Sequence, residues 1–190
     1  MNIPVISLFF LSIIFSLIGF QNSVIAAKLD MPEYIYAAQQ KLILNGAGIR
    51  NKYYMDLYVC ALYLKNKSSD AQKIMDSDEV MGIRLHIISN WITSKKMQQA
   101  IQEGFNKATN NHTAHIDNEI KTVITAFNDA IVKDDVFEMH YIPGQGSLIY
   151  KNNQLKCTIK GLPFKQALFG IWLSKNNPNH LELRKQLMGG

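Results

Sequence analysis

The chain is organised around the stretch from Leu44 to Leu64 (LNGAGIRNKYYMDLYVCALYL), where Leu57, Tyr58, Val59, Cys60, Ala61 and Leu62 form an apolar run. A run this rich in aromatic and β-branched residues predicts a strand. Apolar side chains at both parities predict a central strand covered on both faces. Asn45-Gly46 and Gly48 predict a turn requiring positive φ, with Lys41 to Leu44 as a separate strand before it. A tight hairpin is expected between Asn51 and Asp56.

Elsewhere the periodicity changes repeatedly. Tyr34 to Gln40 carries no decisive pattern. Ser69-Asp70-Ala71 predicts the cap of a short helix bearing Ile74 and Met75. Met81 to Ser89 alternates as a strand, with Leu85 and Ile87 on one face and Arg84 and His86 on the other. Thr93 caps a helix whose Met97, Ile101, Gly104, Phe105 and Ala108 recur at helical spacing. A second amphipathic helix begins near Asp117 and carries Ile120, Val123, Ile124 and Phe127. Val136–Ile142, Ser147–Tyr150 and Gln154–Lys160, separated by Pro143-Gly144-Gln145-Gly146 and by Lys151-Asn152-Asn153, predict an antiparallel meander. Pro163 opens a third helix with Phe164, Ala167, Leu168, Ile171 and Trp172 as its stripe. His180 to Met188 predicts a last helix, ended by Gly189-Gly190. The expected fold class is α+β: an antiparallel β-sheet, in two runs, layered with α-helices.

Composition narrows the functional classes. The 190 residues are 47% hydrophobic and 18% charged, enough for one domain with a sizeable core. The net charge of +5 is scattered, with no basic stripe to follow a phosphate backbone, so nucleic acid is not an expected partner.

Residues 1–26 carry no charged side chain and are almost continuously apolar from Ile3 to Phe20. They read as a secretory signal cleaved after Ala26 or Ala27, leaving residues 27–190 as the domain. An uncleaved anchor is the alternative, because the run approaches the ~20 residues that span a bilayer. The expected location is therefore periplasmic or secreted, with membrane contact only through this segment.

Candidate chemistry is sparse. Cys60 and Cys157 permit one disulfide in an oxidising compartment, although both lie in apolar runs where buried free thiols are common. His86, His112, His115, His140 and His180 show no metal-ligand spacing and read as ordinary surface or strand residues. No serine sits in a nucleophile elbow, and no cofactor or metal is expected. Arg50 stands out as a cation beside a covered strand, which requires an anionic partner. That partner is either a carboxylate of the chain, such as Asp56 or Glu138, or a ligand carboxylate or enolate held with a tyrosine hydroxyl.

LNGAGIR, the gap to YVCALYL, and the downstream GLPFKQALFGIWLS together resemble the chalcone isomerase-like superfamily, most of all its bacterial secreted branch. The resemblance implies an antiparallel sheet layered with helices around a cleft. In the plant enzymes the cleft is lined by an arginine, a strand threonine, a central tyrosine and asparagine, and a helical Ser/Thr. Arg50 matches the arginine, Tyr58 falls at the threonine and Ile171 at the helical Ser/Thr, while the central pair has no counterpart. The related fatty-acid-binding branch instead pairs the arginine with a strand tyrosine, which Arg50 and Tyr58 match. The resemblance thus implies a non-catalytic binder of a fatty acid or similar carboxylate-bearing amphiphile, with Arg50 and Tyr58 at the carboxylate and Phe169 and Ile171 along its apolar part. One alternative is an isomerase or intramolecular lyase in which Arg50 stabilises an oxyanion. A second is an envelope accessory protein with a vestigial cleft.

Overall fold

The computed structural model describes residues 31–189. The secretory-signal reading and its cleavage point lie outside the described residues. Seven strands form a single sheet: β1 (Tyr34–Ala37), β2 (Gln40–Lys52), β3 (Met55–Leu64), β4 (Met81–Ile87), β5 (Val136–Ile142), β6 (Gly146–Lys151) and β7 (Gln154–Ile159). Each pairs antiparallel with its sequence neighbour, so spatial order equals chain order. Among the described residues five α-helices accompany it: α1 (Ala71–Asp76), α2 (Ser94–Ala108), α3 (Asp117–Ala126), α4 (Leu162–Leu173) and α5 (Leu181–Leu187). The class is α+β, as the periodicities predict, but the expected two runs of strands are one continuous meander.

Local signals set the element ends. The side chains of Asp70 and Thr93 accept from the backbone N–H groups of Lys73 and Lys96, capping α1 and α2. Asn152 and Asn153 turn β6 into β7 at φ 49° and 64°, a conformation asparagine adopts readily.

The unbroken apolar run in β3 follows from its two covered faces. Tyr58, Cys60, Leu62 and Leu64 point into the main core, beneath α2 and α4. Val59, Ala61 and Tyr63 join a smaller cluster with Met31, Ile35, Leu42, Leu44 and Ala47. The sheet curls to close that second cluster: Ile35 of β1 reaches over Gly82 of β4, where an added Cβ would stand 3.0 Å from the Ile35 Cδ1 atom.

The Asn45-Gly46 turn does not form. β2 runs straight through it with a register shift between Leu44 and Gly46, and neither Gly46 nor Gly48 has positive φ. These glycines serve close approach instead. A Cβ on Gly46 would lie 2.2 Å from the Gln186 carbonyl oxygen, and one on Gly48 would strike the Gln186 side chain. The end of α5 therefore lies directly on β2. Asn45, buried at the register shift, donates from Nδ2 to the Leu187 carbonyl at 2.7 Å and to the Ser68 carbonyl at 2.9 Å. The true turn is Tyr53-Tyr54, inside the expected Asn51–Asp56 window.

Cys60 and Cys157 are both free thiols, so the disulfide is not made. β7 stands four strand spacings from β3, roughly 19 Å at ~4.8 Å each, well beyond what a disulfide bridges.

Candidate functional site

The helix-side face of the β2–β3 hairpin, with α2, α4 and the segment after α4, encloses a cavity. Its inner lobe, about 100 Å³, is lined by Arg50, Leu57, Tyr58, Met97, Ile171 and Trp172 among others. An outer lobe of about 330 Å³ shares Lys52, Leu57, Tyr58, Met97, Ala100 and Glu103 with it and opens past Tyr53, Met55 and Trp91. The shared wall makes the two lobes contiguous, and the outer one falls within the range of ligand pockets, which ordinarily begin at about 300 Å³. Small residues let α2 and α4 approach closely beside the inner lobe. An added Cβ on Gly104 of α2 would stand 2.8 Å from Ile171 of α4, and one on Gly170 would stand 3.1 Å from Ala108.

Arg50 and Tyr58 are direct partners across the β2–β3 ladder and line the same cavity. Arg50 is half-buried. Neither carboxylate proposed for it from the sequence is its partner. Glu138 lies on the opposite sheet face, bonded to Arg84 at 2.6 Å. Asp56 accepts a hydrogen bond from the Asn51 side chain. Among the described residues Arg50 makes no ion pair, and its Nη1 donates to the Asn51 carbonyl at 2.5 Å. Tyr58 is buried, and its hydroxyl accepts from Trp172 Nε1 at 3.2 Å. Burial pushes the phenol pKa well above its usual value, outweighing the opposing effects of Trp172 and Arg50. Its O–H proton is therefore retained, and Trp172 leaves it free to donate.

The remaining lining residues divide by chemistry. Leu57, Leu85, Met97, Ile101, Leu168 and Ile171 make the interior hydrocarbon. Lys52 and Lys107 join Arg50 at the cavity with one acid, Glu103. Glu103 bonds Lys107 at 2.6 Å, and that contact holds its carboxyl below the ordinary range despite partial desolvation.

Ile171 lines the cavity; Phe169 does not. Phe169 is fully buried in the core, with the Lys165 ammonium 5.6 Å from its ring. At 3.6 residues per turn, positions two apart are about 200° around a helix, so the two side chains cannot share one cavity.

Trp172, Asn177 and His180 were missed as site residues. Trp172 reads from sequence only as part of an apolar stripe. His180, expected to be an ordinary surface or strand residue, is buried in a turn of 3-10 helix against the end of α4. Its Nδ1 donates to the Ile171 carbonyl at 2.8 Å, and Asn177 Nδ2 donates to the same oxygen at 2.9 Å. These bonds satisfy a carbonyl that the helix end leaves open. Burial draws the His180 pKa down to about 4, so the ring is neutral at neutral pH. The Asn177 Oδ1 atom, also buried, has no donor partner among the described residues.

The fold is thus a curled antiparallel sheet with one helical layer, and an arginine–tyrosine pair lines the cavity between them. The chalcone isomerase-like family model matches residues 24–189, and the chain belongs to this family. Comparison with curated protein sequences finds no match. The fold is similar to the crystal structure of the Arabidopsis thaliana fatty-acid binding protein AtFAP1. The TM-score is 0.68 at 16% identity, covering 84% of this chain and 91% of that one.

Proposed function

We propose that this protein holds a fatty acid, or a similar carboxylate-bearing amphiphile, without transforming it. The observation that carries the reading is Arg50, a cation at a largely hydrocarbon cavity with no carboxylate of its own among the described residues. A half-buried guanidinium is stabilised by an anion that fits its fork. The ligand carboxylate supplies that anion, and the Tyr58 hydroxyl donates to it. The acyl chain lies along Leu57, Met97, Ile101 and Ile171, where each buried methylene contributes about 0.8 kcal/mol. Similarity of fold to a protein named as a fatty-acid binder supports the same reading. Ile171 further favours binding over isomerisation, because it offers hydrocarbon where the plant enzymes place a hydroxyl. The charge-free residues 1–26 support a periplasmic or secreted location.

The test is native mass spectrometry of residues 27–190 purified from cells, followed by organic extraction of whatever is retained. The expected result is a co-purifying fatty acid in the wild type and none in Arg50→Ala. A protein that is empty and also refuses added fatty acids would overturn the reading and favour a vestigial cleft.

A further inference from the structure

The hairpin at the mouth of the cavity turns on two tyrosines. Tyr53 and Tyr54 stand at φ 51° and 63°, the type I′ pattern that favours Asn-Gly and that bulky residues adopt at a cost. Packing does not offset that cost, because Tyr53 is 79% exposed and Tyr54 fully so. Trp91, in the loop leading to α2, is 62% exposed and borders the same outer lobe as Tyr53.

Cations surround these rings. Lys52 Nζ lies 5.4 Å from the Tyr53 ring centroid, and Lys96 Nζ lies 5.3 Å from that of Trp91, with exposed Lys95 beside it. None of the three makes a salt bridge among the described residues. The nearby acids are engaged elsewhere, Asp56 with Asn51 and Glu103 with Lys107. Polar-tipped aromatic rings mixed with lysines are suited to the headgroup layer of a bilayer, whose anionic lipids attract the ammonium groups. No helix among the described residues is long and apolar enough to cross a membrane, so such contact is peripheral.

We propose that Tyr53, Tyr54 and Trp91, with Lys52, Lys95 and Lys96, form a foot that docks on an anionic bilayer surface and sets the outer lobe against the lipid. The inference rests on the reading of the cavity as an amphiphile site and adds the route by which the amphiphile enters. This contact is separate from any made by residues 1–26.

The experiment uses residues 28–190, which contain every strand and helix among the described residues and both apolar clusters. It measures co-sedimentation with vesicles of equimolar phosphatidylcholine and phosphatidylglycerol, and with phosphatidylcholine alone. The expected result is salt-sensitive binding to the mixed vesicles only. Lys52→Gln with Lys96→Gln should weaken it about thirtyfold, the equivalent of two surface charges. Replacing Tyr53-Tyr54 with Asn-Gly should raise the melting temperature while reducing vesicle binding, so misfolding cannot account for the loss. Titration of decanoate into the protein in solution separates the two proposals. Tyr54→Ser, outside both lobes, should keep decanoate affinity and lose vesicle affinity, whereas Arg50→Ala should do the reverse. Wild-type protein that ignores mixed vesicles, or an Asn-Gly variant that binds them as well as wild type, would overturn the docking proposal whatever decanoate does.

Discussion

Arg50 and Tyr58 face each other across the β2–β3 ladder, and each has an unspent donor. Arg50 uses Nη1 on a backbone carbonyl, and Tyr58 accepts from Trp172 without donating to any described residue. Both donors belong to the cavity that the sheet and helices enclose.

Arg50→Lys should retain charge but lose the planar fork, so fatty-acid affinity should fall roughly tenfold, between wild type and Arg50→Ala. Tyr58→Phe should also weaken binding. It leaves the Trp172 N–H unpartnered, at about 1 kcal/mol of stability. Calorimetric titration with one fatty acid, alongside urea unfolding, checks both. Unchanged affinity in both variants would remove the pair from the site.

Gly46→Ala should destabilise the fold by about 3 kcal/mol, at the upper end for overpacking, because the new methyl meets a backbone carbonyl that cannot rotate aside. Gly144→Ala is the control. Its φ of 78° still penalises a side chain, but nothing lies within 4 Å, so its loss should be about 1 kcal/mol. Chemical denaturation of the two variants ranks them.

His180 gives stability a pH dependence whose sign is fixed by burial. Its folded pKa of about 4 lies below the value near 6.5 in the unfolded chain. Between these values the unfolded chain binds the proton and the folded one does not. Stability is therefore full above about pH 6.5 and declines as pH falls towards 4, by about 3 kcal/mol in all. Urea unfolding between pH 7 and 5 should show this slope in the wild type and a flatter one in His180→Gln.

Lys165 should prove indispensable although it is remote from the cavity. Its fully buried ammonium donates to the carbonyls of Ile74, Met75 and Ser77 at 2.8, 2.9 and 2.7 Å, closing the end of α1. Burial lowers its pKa to about 8, so all three protons are present at neutral pH. Lys165→Met would leave carbonyl groups without donors, and the expected loss is about 3 kcal/mol. A melting temperature within a degree or two of wild type would contradict this role.

Features that depend on neighbours along the chain were legible from the residues alone. Asp70 and Thr93 cap their helices because the bonds they make reach only three residues. The apolar stripes of α2 and α3, the β5–β7 meander and the two-sided burial of β3 follow from periodicity in the same way. Arg50 was legible too, since a lone cation entering an apolar strand requires a partner wherever the strand is placed.

Which distant partner each residue meets depends on how the elements pack. Gly46 and Gly48 look like a turn, yet they are strand residues kept bare for α5, about 140 positions away. Glu138 was as plausible for Arg50 as for Arg84 until strand register set it on the opposite sheet face. Phe169 and Ile171 carry the same apolar signal, but only helix rotation against α2 turns Ile171 to the cavity and Phe169 into the closed core. Trp172 and His180 acquire their roles from the Tyr58 hydroxyl and the Ile171 carbonyl. Short-range hydrogen bonds and periodicity are written locally. Register, rotation and close approach are set by packing the whole core at once, so no single stretch contains them.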